Sequence, residues 1–233
     1  MTITYPIDFP TDIGLVESVL RARSVVSVST SPFTLSQQAY SWGGQRWEIE
    51  CVLPRLDRQL AEIFHSFLLK LKGQRGTFTM YVPSAKNPRA TYSSPATGHI
   101  QTESGLSITT EGGDHIIYEY GDIVVSGNDQ TGDTLTISGY TPNTSNAVLA
   151  GDYFQLGTGL NTRLYKALNS ADSDAGGNVT LDIFPSLRTS PSNGDVVIWD
   201  NPKGLFRLND NITDAQSDLM NTFYMSFTAV EAL

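Results

Sequence analysis

One segment alone repeats its apolar residues at helical spacing. In RLDRQLAEIFHSFLLKLKG (55–73), Leu56, Leu60, Ile63, Phe64, Phe67, Leu68 and Leu71 fall on one side of a 3.6-residue period. Pro54 precedes the run, and Lys70, Lys72 and Gly73 close it. Those are start and stop signals, with cations at the negative end of the helix dipole. The spacing predicts a helix over 55–72. Its apolar stripe is wide and must be covered by a sheet or by a neighbouring subunit.

Everything else alternates with period two between turn residues. Strands are expected at 24–30, 46–53, 77–82, 106–110, 115–119, 122–126, 133–138, 153–156, 163–168, 178–184, 195–199 and 223–229. Charged residues make up only 17% of the chain, and it holds 20 Gly and 11 Pro. That composition fits a mainly β protein with many turns, built as sandwiches or barrels.

The stretch SWGGQRWEIECVLPRL (41–56) reads as a Trp-flanked Gly-Gly turn feeding strand 46–53. On that strand Trp47, Ile49 and Cys51 share one face, while Glu48, Glu50 and Val52 take the other. Trp47 is expected in the core. Trp42, beside the turn, is expected either in the core or at a subunit contact.

The formal net charge of −9 argues against a general nucleic-acid binder and against an anionic membrane partner. It is unevenly spread. Residues 94–200 hold three basic and thirteen acidic residues, while the remainder holds twelve and eleven. With the Pro/Ser/Thr-rich PSAKNPRATYSSPATG (83–98) and DNPKG (200–204) as linkers, the chain divides in two. An outer domain is expected at 1–93 and 201–233, with an acidic β-domain inserted at 94–200. MTITYPIDFP shows no basic and apolar leader, and no run is long enough to span a membrane, so no membrane insertion is expected.

Catalytic signatures are sparse. His65, His99 and His115 form no metal-ligand spacing, and no GxSxG elbow is present. The single cysteine, Cys51, lies in an apolar alternating run and reads as a small buried hydrophobe. GTGL (157–160) reads as a hairpin turn rather than a phosphate loop. DSDAGGN (172–178) has calcium-loop spacing at Asp172 and Asp174, but lacks the closing Glu and reads as a polar turn. Asn143, Asn178 and Asn211 match the glycosylation pattern. No catalytic residue, metal or cofactor is assigned, and the expectation is a protein that is not an enzyme.

The order of an N-terminal strand, WGGQRWEIECVLPRL, an amphipathic helix, GQRGTFTMYVP, an insertion and a terminal GLFRLNDN…FYMSFTAVEAL resembles the distal tail proteins of siphophage-like bacteriophage tails. LAGDYFQLG, RLYKALNSADSDAGGNVTLDIFPSLR and PKGLFRL are similar to stretches common in such phage proteins. The resemblance implies a tail-tube-like β-sandwich, the belt domain, with one helix. It implies a second, OB-like or galectin-like β-domain, which here is inserted rather than appended. It further implies a structural virion protein, assembled in the host cytoplasm as a homo-hexameric ring. Such a ring joins the tail tube protein to the tail tip or baseplate hub and passes DNA without binding it specifically. Ring contacts are then expected near the 41–47 turn, at Trp42, Gln45, Arg46 and Trp47, and at the C-terminal strand.

Two other classes remain open. The acidic insert could be a carbohydrate-binding module that meets a host surface glycan through Tyr118, Tyr120, Tyr140, Tyr153 and Trp199. Its dense carboxylates could instead serve a glycan hydrolase.

Overall fold

The structure, a computed structural model, describes residues 3–90, 97–99, 102, 108–114, 117–119, 122–213, 216–217 and 222–233. In chain order its strands begin with β1 (Ile7–Asp8), β2 (Glu17–Thr30) and β3 (Gln37–Val52), followed by helix α1 (Arg58–Leu71). Then come β4 (Phe78–Tyr81), β5 (Thr97–His99), β6 (Ile117–Glu119), β7 (Val124–Val125), β8 (Thr134–Ser138), β9 (Tyr153–Leu156), β10 (Arg163–Ala167) and β11 (Asn178–Phe184). The last are β12 (Val197–Ile198), β13 (Lys203–Leu208), β14 (Gln216–Ser217), β15 (Phe223–Tyr224) and β16 (Ser226–Glu231). The protein is mainly β, with α1 as the one α-helix among the described residues.

Two compact units form: residues 1–83 with 204–233, and residues 84–203. The sequence placed these boundaries at 93/94 and 200/201. Residues 85–90 belong to the inserted unit because they are bonded into it. The Asp152 side chain is 2% exposed, and its carboxylate accepts from Arg89 Nε at 3.0 Å and from the Ala90 amide at 3.3 Å. Arg89 also donates to the Ala150 carbonyl. A buried carboxylate needs such partners, so this stretch is no free linker. With these boundaries the inserted unit has six basic against thirteen acidic residues, and the outer unit nine against eleven. The contrast is −7 against −2.

The outer unit is built on one six-stranded sheet in the order β1-β4-β13-β16-β3-β2. β1 runs parallel to β4, and β13, β16, β3 and β2 pair antiparallel in turn. Helix α1 starts at Arg58, three residues later than expected. Asp57 caps it by accepting from the Leu60 amide at 2.9 Å, and Leu56 is spent on a bridge to Phe223. Lys72, at φ 53°, closes it with an N–H bond to Leu69 O. Ala61, Phe64, Phe67, Leu68 and Leu71 are buried, whereas Ile63 is 46% exposed and leaves the expected stripe. Phe64 packs on Phe9 and Phe227, with ring centroids 6.0 and 5.7 Å away, and Phe67 meets Phe78 at 5.6 Å. Each such ring contributes roughly 1.5–3 kcal/mol by leaving water. Trp47, Ile49 and Cys51 are buried on β3, as their alternation requires.

The inserted unit holds a second six-stranded sheet, β12-β9-β10-β11-β8-β7. It is antiparallel throughout and nearly closes on itself. Val124 bridges Val196, Val125 N–H bonds Asp195 O at 2.8 Å, and Val197 N–H bonds Ile123 O at 2.8 Å. The result is a small barrel-like sheet. Its inward residues, among them Leu135, Ile137, Phe154, Tyr165, Leu181 and Trp199, form one core. Closure removes the exposed edges that an open sheet of these short strands would present. Of the strands expected at 106–110 and 115–119, residues 106–107 and 115–116 lie outside the described residues. The expected strand 223–229 is interrupted at Met225.

Candidate assembly interface

β2 and β3 are far longer than their neighbours, 14 and 16 residues. Their lower halves lie in the sheet. Their upper halves, from Ser24 to Gly44, extend as a two-stranded ribbon whose strand residues are exposed on both faces. At 3.3 Å per residue, the seven positions from Ser24 to Thr30 project about 23 Å.

The Gly-Gly pair expected to make a turn lies inside β3. Ser24 pairs with Gln45 and Val26 with Ser41, so Val25 alone faces Trp42, Gly43 and Gly44. That is a β-bulge, not a turn. Gly43 has φ 71°, which an L side chain rarely tolerates. A Cβ on Gly44 would stand 3.0 Å from Val25 Cγ2. The two glycines thus let a continuous strand absorb extra residues.

The ribbon's surface is uncharged and mixes Ser, Thr and Gln with exposed apolar side chains. Tyr40, opposite Ser27, shares a face with Trp42, and the two rings meet edge to face at 4.9 Å. Trp42 is 67% exposed. On the opposite face Val26 and Val28 stand against Ser41 and Ala39, and both valines are exposed. At the tip Ser31 N–H bonds Ser36 O at 2.9 Å, and Phe33 and Leu35 are 93% and 76% exposed. No charged residue occurs from Ser24 through Gln45. That charge gap is readable in the sequence and marks the ribbon. The alternation of SVVSVST predicts a strand, which β2 supplies, but says nothing of its exposure on both faces.

Below the ribbon sits a ladder of ion pairs. Glu48 accepts from Arg46 Nε and Nη2, at 2.9 and 2.7 Å, and from Arg23 Nη1 at 3.1 Å. Arg46, then Arg23, hold the Glu48 carboxyl below the usual range. Arg21 pairs with Glu50 at 2.6 Å. Exposed pairs of this kind add about 0–1 kcal/mol, so their use is to hold register where packing ends.

The four expected interface residues are therefore split. Trp42 is on the ribbon, and Gln45 and Arg46 are half-buried at its base. Trp47 is 3% exposed, and its amide donates to the buried Glu231 carboxylate at 3.1 Å. It is a core residue and offers no surface to a partner. The expected glycan contacts fare similarly. Tyr140 and Trp199 are buried in the barrel core and cannot stack on a sugar. Tyr153 lies half-buried under Lys166, whose Nζ is 4.7 Å from the ring centroid. Tyr118 is on β6, and Tyr120 lies outside the described residues.

Other candidate chemistry is tied up locally. Asp174 accepts from the amides of Gly176 and Asn178 and from Asn178 Nδ2, and Asp172 accepts from the Asn146 amide. These bonds shape a loop, and those from Asn178 in particular hold the Asp174 carboxyl below its usual range. GTGL links the antiparallel pair β9 and β10. Burial, and secondarily Glu50, pushes the Cys51 thiol up to about 12, which keeps it unreactive. Among the described residues no cluster of three His, Cys, Asp or Glu could hold a metal, and no helix is long and apolar enough to cross a membrane. No protein-family model and no curated protein matches this sequence.

Proposed function

We propose that this chain is a structural subunit that assembles with copies of itself, as a distal tail protein of a siphophage-like tail. In this reading the outer unit is the belt domain of a hexameric ring, and the inserted barrel, OB-like or galectin-like in kind, projects outward. The ring joins the tail tube protein to the tip or baseplate hub and lets DNA pass. It is assembled in the host cytoplasm, resides in the virion and performs no catalysis.

The observation that carries the proposal is the ribbon. A two-stranded hairpin without a covered face is marginal in water. This one adds exposed Val, Phe, Leu, Tyr and Trp side chains, and it lacks the charges that normally protect sheet edges. Such a surface is stable only when covered, and cyclic assembly covers the same patch on every copy. The resemblance of the sequence to distal tail proteins supplies the stoichiometry and partners. Charge supports the arrangement: six inserted units at −7 each repel at a ring's centre, but solvent and salt screen them at its periphery.

Sedimentation velocity of the full chain tests the reading. A species of six chains is expected, unchanged or tightened by added salt because the contacts are apolar. A monomer at all concentrations, or a hexamer that dissociates at moderate salt, contradicts it. The glycan-binding reading through exposed aromatics loses Tyr140 and Trp199, and no observation here favours a hydrolase.

A further inference from the structure

The inserted unit contains a cavity of about 570 Å³ beside β9, β10 and β12. Its size lies within the roughly 300–1,000 Å³ usual for small-ligand sites. The frame around it is rigid. β9 is hydrogen-bonded to β10 on one side and β12 on the other, and β12 closes the barrel through Val124 and Val196.

Its lining has a definite chemistry. Arg163 is oriented by two bonds from Nη1, to Leu160 O at 3.1 Å and Thr162 O at 2.8 Å. Among the described residues it makes no ion pair, although its unit is strongly acidic. Nε and Nη2 therefore remain as a pair of donors on a guanidinium already held in place. Asp195 also lines the cavity, and one of its carboxylate oxygens receives the Ser192 amide at 2.8 Å, which leaves the other as an acceptor. Thr158 and Ser190, which carry hydroxyls, and the apolar Ile198 line it too.

We propose that this cavity binds one neutral sugar residue of a glycan. A sugar presents neighbouring hydroxyls that each need a donor and an acceptor, together with a C–H face that needs apolar contact. Arg163 and Asp195 meet the first requirement, and Ile198 meets the second. A lone anion would face Asp195 and the −7 of the unit. A lone cation would face Arg163. A neutral, hydroxyl-rich ligand suffers neither penalty. The site uses none of the aromatics that the sequence suggested, and it does not depend on the assembly reading: its failure leaves the ring untouched.

The test is an amide and arginine side-chain NMR titration of the full chain. The probes are glucose, galactose, mannose and N-acetylglucosamine, the disaccharides lactose and cellobiose, and glucuronate as the charged control. At least one neutral sugar is expected to give saturable shifts at Arg163 Nε, Thr158, Ser190 and Asp195. Arg163→Lys keeps the charge but loses the fork, and should weaken binding about tenfold or more. Lys166→Gln, which alters a cation outside the cavity lining, should leave binding unchanged. Three outcomes overturn the proposal: no saturable shift with any neutral sugar, binding undiminished in Arg163→Lys, or glucuronate bound more tightly than every neutral sugar.

Discussion

The two ends of the β2–β3 pair carry the same alternating pattern and meet opposite fates. At the base, Trp47, Ile49 and Cys51 are buried, and β16 pairs alongside with Phe227, on which Phe64 of α1 packs, opposite Cys51. Beyond Gln45, Trp42, Tyr40, Val26 and Val28 are as apolar and as regularly spaced, yet they stand in solvent. Period two specifies which residues share a face. It does not specify whether anything covers that face. What differs between the halves is the neighbour: β16 pairs with β3 only from Glu48 to Val52, and the ribbon starts where that partner ends. A second neighbour is needed above that point, and in the proposed assembly a second copy of the chain would provide it.

The largest effect should come from the base. Phe64→Asp places an unpaired carboxylate among Phe9, Phe67 and Phe227 and should cost several kcal/mol, enough to abolish cooperative unfolding of the outer unit. Soluble, normally assembled Phe64→Asp protein would show that the helix buries another face.

The two tryptophans sharpen the contrast. Trp47→Ala should lose about 3–5 kcal/mol of stability in denaturant unfolding of the isolated chain. Trp42→Ala should change that stability by less than about 0.5 kcal/mol, yet weaken self-association by about 2 kcal/mol per contact, as buried aromatic anchors do. Equal stability losses in the two variants would erase the distinction between base and ribbon.

A smaller effect belongs to the junction. Gly43→Ala forces a side chain into left-handed backbone and should cost about 1–2 kcal/mol, read as faster amide exchange in the ribbon rather than in the sheet. Uniform loss of protection across β3 and β16 would place the bulge within the core instead.

The smallest effect is electrostatic. The folded Glu48 carboxyl is depressed by Arg46 and Arg23, so its contribution to stability is present above the unfolded carboxyl range and is lost as pH falls through the lower folded value. Glu48→Gln should flatten that part of the stability–pH curve below pH about 4.5. An unchanged curve would remove the ladder from the account.

How much of this was legible follows from which interactions are local. The helix, the strands of the barrel and the inward face of 46–53 were readable because spacing and turn residues encode them directly. Gly43–Gly44 was misread because a Gly pair looks the same in a hairpin turn and in a bulge. Only the register against β2 decides. β13 and the lower half of β2 were missed, since ESVLRAR and KGLFRL mix charge and apolar residues without clean alternation. Tyr140 and Trp199 seemed available for ligands because amphipathic rings serve core and surface alike. The segment 85–90 looked like a linker by composition, but a single buried carboxylate, Asp152, recruits it. The ribbon's exposure was hidden in the alternation and visible in the missing charge.

The most direct measurement is the particle mass of a variant in which residues 24–45 are replaced by a two-residue Asn-Gly turn, joining β2 to β3 at the ion-pair ladder. A folded chain is expected, with the α1 core and the barrel intact by their unfolding transitions, that sediments as a monomer while the parent chain sediments as a hexamer. A hexamer that persists without the ribbon would contradict the claim that this surface exists to be covered by a neighbouring copy.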